Sequence, residues 1–225
     1  MNIFSFLPLI LGFYAILLGS GLLVSDEENG TLDLVLAHPI SRTSLFVGRL
    51  AAALVATLLV LALIWLGMVV PMIWSSLAVS SDALVLPFVS LLGVLLLFAM
   101  LALLLSMLLP SRRVAAMTAG TLLVFSYFVT SLAKLNSSLK PVARLMPLRY
   151  YQSADAIEGL NYAWLSGLLG VALLFTVLAW WRFERRDIRV AGEGSWAGFR
   201  GAKRRPDRQR VNDIQSGVHS QGSRA

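Results

Sequence analysis

The sequence predicts an all-α integral membrane protein, with five transmembrane helices and a short cytoplasmic helix after the first. Three observations lead there. Of 225 residues, 57% are hydrophobic and only 14% are charged, against about 25% charged in an average soluble chain. The charges are clustered, leaving uncharged windows at 1–25, 50–81, 83–111, 114–133 and 159–181; each reaches the roughly 20 residues needed to cross a bilayer core. The net charge of +7 is also localised, since residues 182–225 hold 11 of the 19 Lys+Arg and 5 of the 12 Asp+Glu. A soluble enzyme, a disordered regulator and a small secreted module are excluded. The absence of cysteine also removes disulfide scaffolds, thiolate metal sites and cysteine nucleophiles.

The first span is expected over about residues 3–24, with a kink at Pro8 that neighbouring helices can tolerate. It lacks the basic start and small-residue cleavage site of a signal peptide, so it reads as a true span. The second and third are expected at 45–70 and 86–109, with Pro71 and Pro87 punctuating the segment between them and Pro110 stopping the third. The fourth, 114–133, is the most polar, and the fifth covers 161–182, bracketed by Trp164 and the Trp180–Trp181 pair. Those tryptophans lie ~25 Å apart at ~1.5 Å per helical residue, which suits two interfacial aromatic belts. Residues 1–190 form the membrane domain and 191–225 a basic tail expected to be disordered.

Lys and Arg in the connections set the orientation. The connections at 26–49 and 110–113 together with the tail carry 15 of them, while the connections around Asp82 and over 134–158 carry four. The tail is therefore expected in the cytoplasm and the N-terminus outside. All four basic residues on the outer side, Lys134, Lys140, Arg144 and Arg149, fall in the one connection 134–158. Ser153 is a candidate cap for a short helix over 154–158.

The cytoplasmic elbow, residues 25–44, holds the chemistry that stands out. Asp26, Glu27 and Glu28 follow the first span, and Asn29–Gly30 breaks the helix. Thr31 can cap a new short helix, on which Leu32, Val35 and Leu36 share a face before Pro39 ends it. An elbow that merely turns the chain along the membrane surface is the simpler use of such a segment. Three carboxylates, however, are repelled by an anionic leaflet, which favours a protein partner.

At these residues a resemblance becomes specific. The run from Glu28 through Gly30, Thr31, Leu32, Asp33, Leu36 and Pro39 to Arg42 resembles the cytoplasmic signature of ABC-2 type transporter permeases, E-x-G-T-L-[ED]-x-L-L-[AS]-x-P-[IV]-S-R. Pro147–Leu148–Arg149–Tyr150–Tyr151 and Phe183–Glu184–Arg185–Arg186–Asp187–Ile188 resemble two weaker family features. The resemblance implies the membrane subunit of an ATP-binding-cassette transporter, with export as the direction. It implies a second permease subunit and an ATP-binding subunit that holds ATP and Mg; no cofactor is expected in this chain. The segment from Gly30 to Arg42 would be the coupling helix docked in that subunit, with Asp26, Glu27 and Glu28 beside it. Pro147, Tyr150 and Tyr151 would belong to an outer gate folded back into the outer leaflet. Six spans are usual in the family, and its first span has no counterpart among the five windows. The expected place is the plasma (inner) membrane of a prokaryote.

The remaining residues narrow the chemistry. No phosphate-binding loop is present, and the windows contain no ionisable side chain for proton coupling or metal-assisted catalysis. His38 and His219 lack partners for a metal site. Thr118, Thr121, Ser126, Tyr127 and Thr130 are candidates for a polar translocation path, although hydrogen bonding between helices is the commoner use of such hydroxyls. Ala115, Ala116, Ala119 and Gly120 permit close helix approach, within the chain or across a dimer. The basic tail can meet anionic lipid; nucleic acid is not expected as a partner, because no aromatic platform accompanies the charge. A carrier or channel working without ATP, or a membrane scaffold, would be the competing classes.

Overall fold

The computed structural model describes residues 6–23, 42–74, 85–153, 156 and 159–185. The elbow expected at 25–44 therefore lies outside the described residues except at its end, as does the tail. Among the described residues the structure is helical, with no strand. In order it has α1 (Leu7–Gly21), α2 (Arg42–Trp74), α3 (Val85–Leu108), α4 (Arg112–Leu132), the one-turn α5 (Lys140–Ala143) and α6 (Tyr162–Arg185), with 3₁₀ turns at Ser137–Leu139 and Pro147–Tyr150.

α3 is the centre of the bundle because it is apolar on every side, and such a helix must be surrounded. Val94, Leu95, Ala102 and Leu103 on it are completely buried. It packs chiefly against α1 and α6, then α4, and more lightly against α2. Two glycines set these approaches. Gly19 of α1 lies against the Ala99 backbone of α3, and Gly93 of α3 faces the Leu165 side chain of α6, so a Cβ at either would clash.

α2 and α6 do the opposite. Leu59 and Leu63 on α2 and Leu173 on α6 are each more than half exposed. A water-soluble fold would bury side chains of this size; in a bilayer they face acyl chains that are equally apolar. Four described helices, α2, α3, α4 and α6, are long and apolar enough to cross a membrane. α1 is described over 15 residues, or ~22 Å at ~1.5 Å per residue, against a hydrocarbon core of roughly 30 Å.

The prolines divide between expectation and correction. Pro110 follows the end of α3, and Ser111 then caps α4, its hydroxyl accepting from the Val114 N–H at 3.3 Å. The tight connection makes α3 and α4 antiparallel neighbours. Pro8 does not kink α1; it lies in the first described turn, where a missing N–H costs nothing. Pro87 likewise lies in the first described turn of α3. α2 is described past Pro71 to Trp74, so that proline lies within the helix and not in the segment between the spans. Ser153 has a left-handed φ of +32°, not the extended backbone of an N-cap; the helix expected over 154–158 falls largely on residues outside those described.

The small residues of α4 pack within the chain. Ala115 and Ala119 are fully buried, and Gly120 lies where a Cβ would be 3.3 Å from the Phe13 ring of α1.

Candidate functional site

Two clusters lie at opposite ends of the bundle. At one end the connection between α4 and α6 folds back among the helices. Its backbone must find partners in an apolar setting, and two serines supply them. Ser126 of α4 accepts from the Leu148 N–H at 3.2 Å, and Ser90 of α3 accepts from the Gln152 N–H at 3.0 Å. Ser90 lies five residues inside α3, and Ser126 six residues before the end of α4. At ~1.5 Å per residue the anchored segment therefore sits about 8 Å within the helix ends. Gln152, itself buried, closes the far side of the loop with Asn161: its amide N–H donates to the Asn161 carbonyl at 3.0 Å, and its oxygen accepts from the Asn161 N–H at 2.6 Å. Tyr150 donates to the Arg144 carbonyl at 2.7 Å, and its ring meets Trp164 edge-on at 5.7 Å.

A cleft of about 690 Å³ lies between this segment and the end of α4, lined by Tyr127, Thr130, Ser131, Lys134, Lys140, Arg149, Tyr151 and Gln152 with Pro8 and Trp164. Burial pushes the Tyr151 phenol up from its ordinary value near 10, and a hydrogen bond with Ser153 only partly offsets this. Tyr151 thus stays protonated and can donate.

The expected path residues separate. Tyr127 and Thr130 join Tyr151 of the expected gate in this cleft. Ser126 is buried and serves as the anchor for Leu148. Thr118 and Thr121 are exposed and donate to their own helix, to Val114 and Met117 carbonyls at 2.9 Å each, the usual way a helical threonine satisfies its hydroxyl. Thr121 faces a separate groove of about 1320 Å³ between α1 and α4. Pro147 starts the 3₁₀ turn that carries Tyr150.

At the other end, the two helices on either side of the elbow region, α1 and α2, are both held. Arg49 of α2 donates to the Leu22 carbonyl at 2.8 Å, and Arg112 of α4 to the Leu17 carbonyl at 3.4 Å. Two cations thus meet the C-terminal carbonyls of α1, where the helix dipole favours positive charge. Just after the elbow, Thr43 donates to Glu184 Oε1 of α6 at 2.8 Å, and Phe46 packs on Phe183 with ring centroids 6.0 Å apart. Arg185 lies 4.3 Å over the Trp181 ring. Of the coupling residues expected from the sequence, Arg42 is the first residue of α2; Asp26, Glu27, Glu28, Gly30, Thr31, Leu32, Asp33, Leu36 and Pro39 lie outside the described residues.

Sequence reasoning did not single out Ser90, Gln152, Asn161, Arg49 or Glu184. Ser90 and Gln152 are 62 positions apart, and no local spacing rule links them. Glu184 carried a weak signal, as part of the run resembling a family feature.

The model of the family described as ABC-2 family transporter protein matches residues 1–188. The chain belongs to the ABC-2 transporter family. It is a multi-pass membrane permease, a transmembrane component that is not itself catalytic. No curated protein matches the permease.

Proposed function

We propose that this permease exports its substrate by alternating access, driven by ATP that a separate ABC ATP-binding subunit hydrolyses. That subunit holds ATP and Mg; this chain supplies the path. The permease works as a homo- or heterodimer in the inner membrane of a prokaryote, with five spans, α1 crossing in addition to α2, α3, α4 and α6, and with its C-terminus in the cytoplasm. The ATPase docks on the acidic elbow, from Asp26 to Arg42. Pro147, Tyr150 and Tyr151 form the outer gate, and Tyr127 and Thr130 belong to the path beneath it.

The observation that carries this reading is the pair of anchors around the elbow. α1 enters it with its carbonyls bound by Arg49 and Arg112, and α2 leaves it bound to Glu184 and Phe183. A push on the elbow is thereby delivered to α1, α2, α4 and α6 together, instead of being lost in a loose turn. The loop between α4 and α6 lies at the far end, where such a motion would open or close it.

The test is co-purification. A tagged permease should recover an ATP-binding subunit, and reversing Asp26, Glu27 and Glu28 to Lys should abolish the recovery without loss of the permease from the membrane. Recovery unchanged by the triple reversal would defeat the docking assignment. A permease that transports without any ATPase would defeat the whole reading.

A further inference from the structure

The outer connection carries four basic residues against the charge pattern of the rest of the chain, and the fold gives three of them one address. Lys134, Lys140 and Arg149 line the same cleft, with Tyr127, Thr130 and Tyr151. These side chains offer ammonium, guanidinium and hydroxyl donors. Among the described residues no carboxylate lines the cleft; Asp155 and Glu158 lie outside them. Thr130 Oγ1 is buried there with no hydrogen-bond partner, which a buried hydroxyl seldom tolerates. The volume of about 690 Å³ matches the roughly 300–1,000 Å³ of pockets that take an organic ligand, not one sized for a bare ion.

Arg144 provides the contrast. It belongs to the same connection and is exposed, but it does not line the cleft. Lys134 and Lys140 are exposed as Arg144 is; what separates them is that three of the four cations line one cleft and Arg144 does not.

We propose that this cleft binds a phosphate oxyanion carried by the ligand, with Lys134, Lys140 and Arg149 taking the charge and the Thr130 hydroxyl donating to it. Charge-assisted bonds of this kind are roughly twice as strong as neutral ones, so the cations set affinity and the hydroxyls set orientation. The inference deepens the export reading by naming the substrate class, a phosphate-bearing molecule that meets the protein at its outward end. The binding itself does not depend on ATP or on the elbow.

The experiment uses the full chain in nanodiscs of zwitterionic phosphatidylcholine. Binding of fluorescent phosphatidate and of inorganic phosphate is measured for the wild type, for Lys134→Gln, Lys140→Gln and Arg149→Gln, and for Arg144→Gln. Each of the first three should weaken binding by about 10-fold or more, Thr130→Val by less, and Arg144→Gln hardly at all. Saturable binding of phosphatidate alone assigns a lipid headgroup; competition by inorganic phosphate assigns a soluble phosphate, and both support the site. Equal weakening by Arg144→Gln would reduce the effect to diffuse surface attraction and overturn the proposal. So would binding insensitive to the three cations. Recovery of the ATP-binding subunit is expected to be the same in all these variants, so failure here leaves the elbow docking untouched, and the reverse.

Discussion

Replacing Ser90 by Ala tests how the folded-back connection is held. The serine hydroxyl accepts from the Gln152 N–H at 3.0 Å, and both residues are buried. Removing the hydroxyl leaves that N–H with no acceptor in an apolar setting. The cost of an unsatisfied buried donor is about 1–3 kcal/mol, and it falls on local opening of the connection, not on the helices. At 1.4 kcal/mol per tenfold, amide exchange over residues 147–153 should accelerate by about 5- to 150-fold. Hydrogen–deuterium exchange with peptide resolution reads this directly. The control is Ser106→Ala on the same helix. Ser106 is also buried, but its hydroxyl donates at 2.7 Å to the Leu103 carbonyl of its own turn, so its loss should leave 147–153 unchanged. Equal exchange in Ser90→Ala and wild type would refute the anchor, and equal acceleration in both serine variants would show that only helix stability had been disturbed.

Four further outcomes are expected. Gly19→Ala places a Cβ onto the Ala99 carbonyl, 2.7 Å from its carbon; α1 and α3 must separate, and thermal unfolding in detergent should show a loss of about 1–3 kcal/mol. Gly48→Ala, with nothing within 4 Å, should be neutral or stabilising by up to ~1 kcal/mol. Arg49→Ala removes the 2.8 Å bond to Leu22 and should destabilise more than Arg112→Ala, whose bond to Leu17 is 3.4 Å; at most about 3 kcal/mol is at stake, and the reverse order in thermal melts would argue against two cations holding α1. Tyr151 gives a pH signature. Its phenol is raised by burial in the folded state, so above pH ~10, the ordinary tyrosine range, the unfolded chain has released a proton that the folded chain still holds. Stability contributed by the neutral phenol is therefore present below that range and declines as pH rises through it. Alkaline unfolding should be less steep in Tyr151→Phe, and an unchanged slope would contradict the burial.

The helices were legible because charge is so costly in lipid that the chain gathers it into connections. The boundaries at Pro110 and near residue 133 follow from that, and α4 was found in spite of six hydroxyl-bearing residues. Prolines were harder. Whether Pro8 or Pro87 kinks or begins a helix depends on where the first turn falls, and a shift of a few residues reverses the outcome. The hydroxyls of α4 could not be sorted from sequence at all. Thr121 and Thr130 look alike in the chain, yet Thr121 bonds its own helix while the Thr130 hydroxyl lies buried at the cleft. Which face of α4 meets α1 and which meets the connection decides this, and that is a property of packing.

By itself the sequence determined a membrane protein, the number and rough limits of its apolar segments, the side with most of the positive charge, and a signature that resembles ABC-2 permeases. Each of these follows from local physics: hydrophobic length, charge count and the contiguous residues of one motif. Only the tertiary structure decided that α3 is central, that Ser90 and Ser126 draw the last connection into the bundle, and that three of its four cations share one cleft. Those contacts join residues dozens of positions apart, and their partners are chosen by which faces pack, which no window along the chain contains.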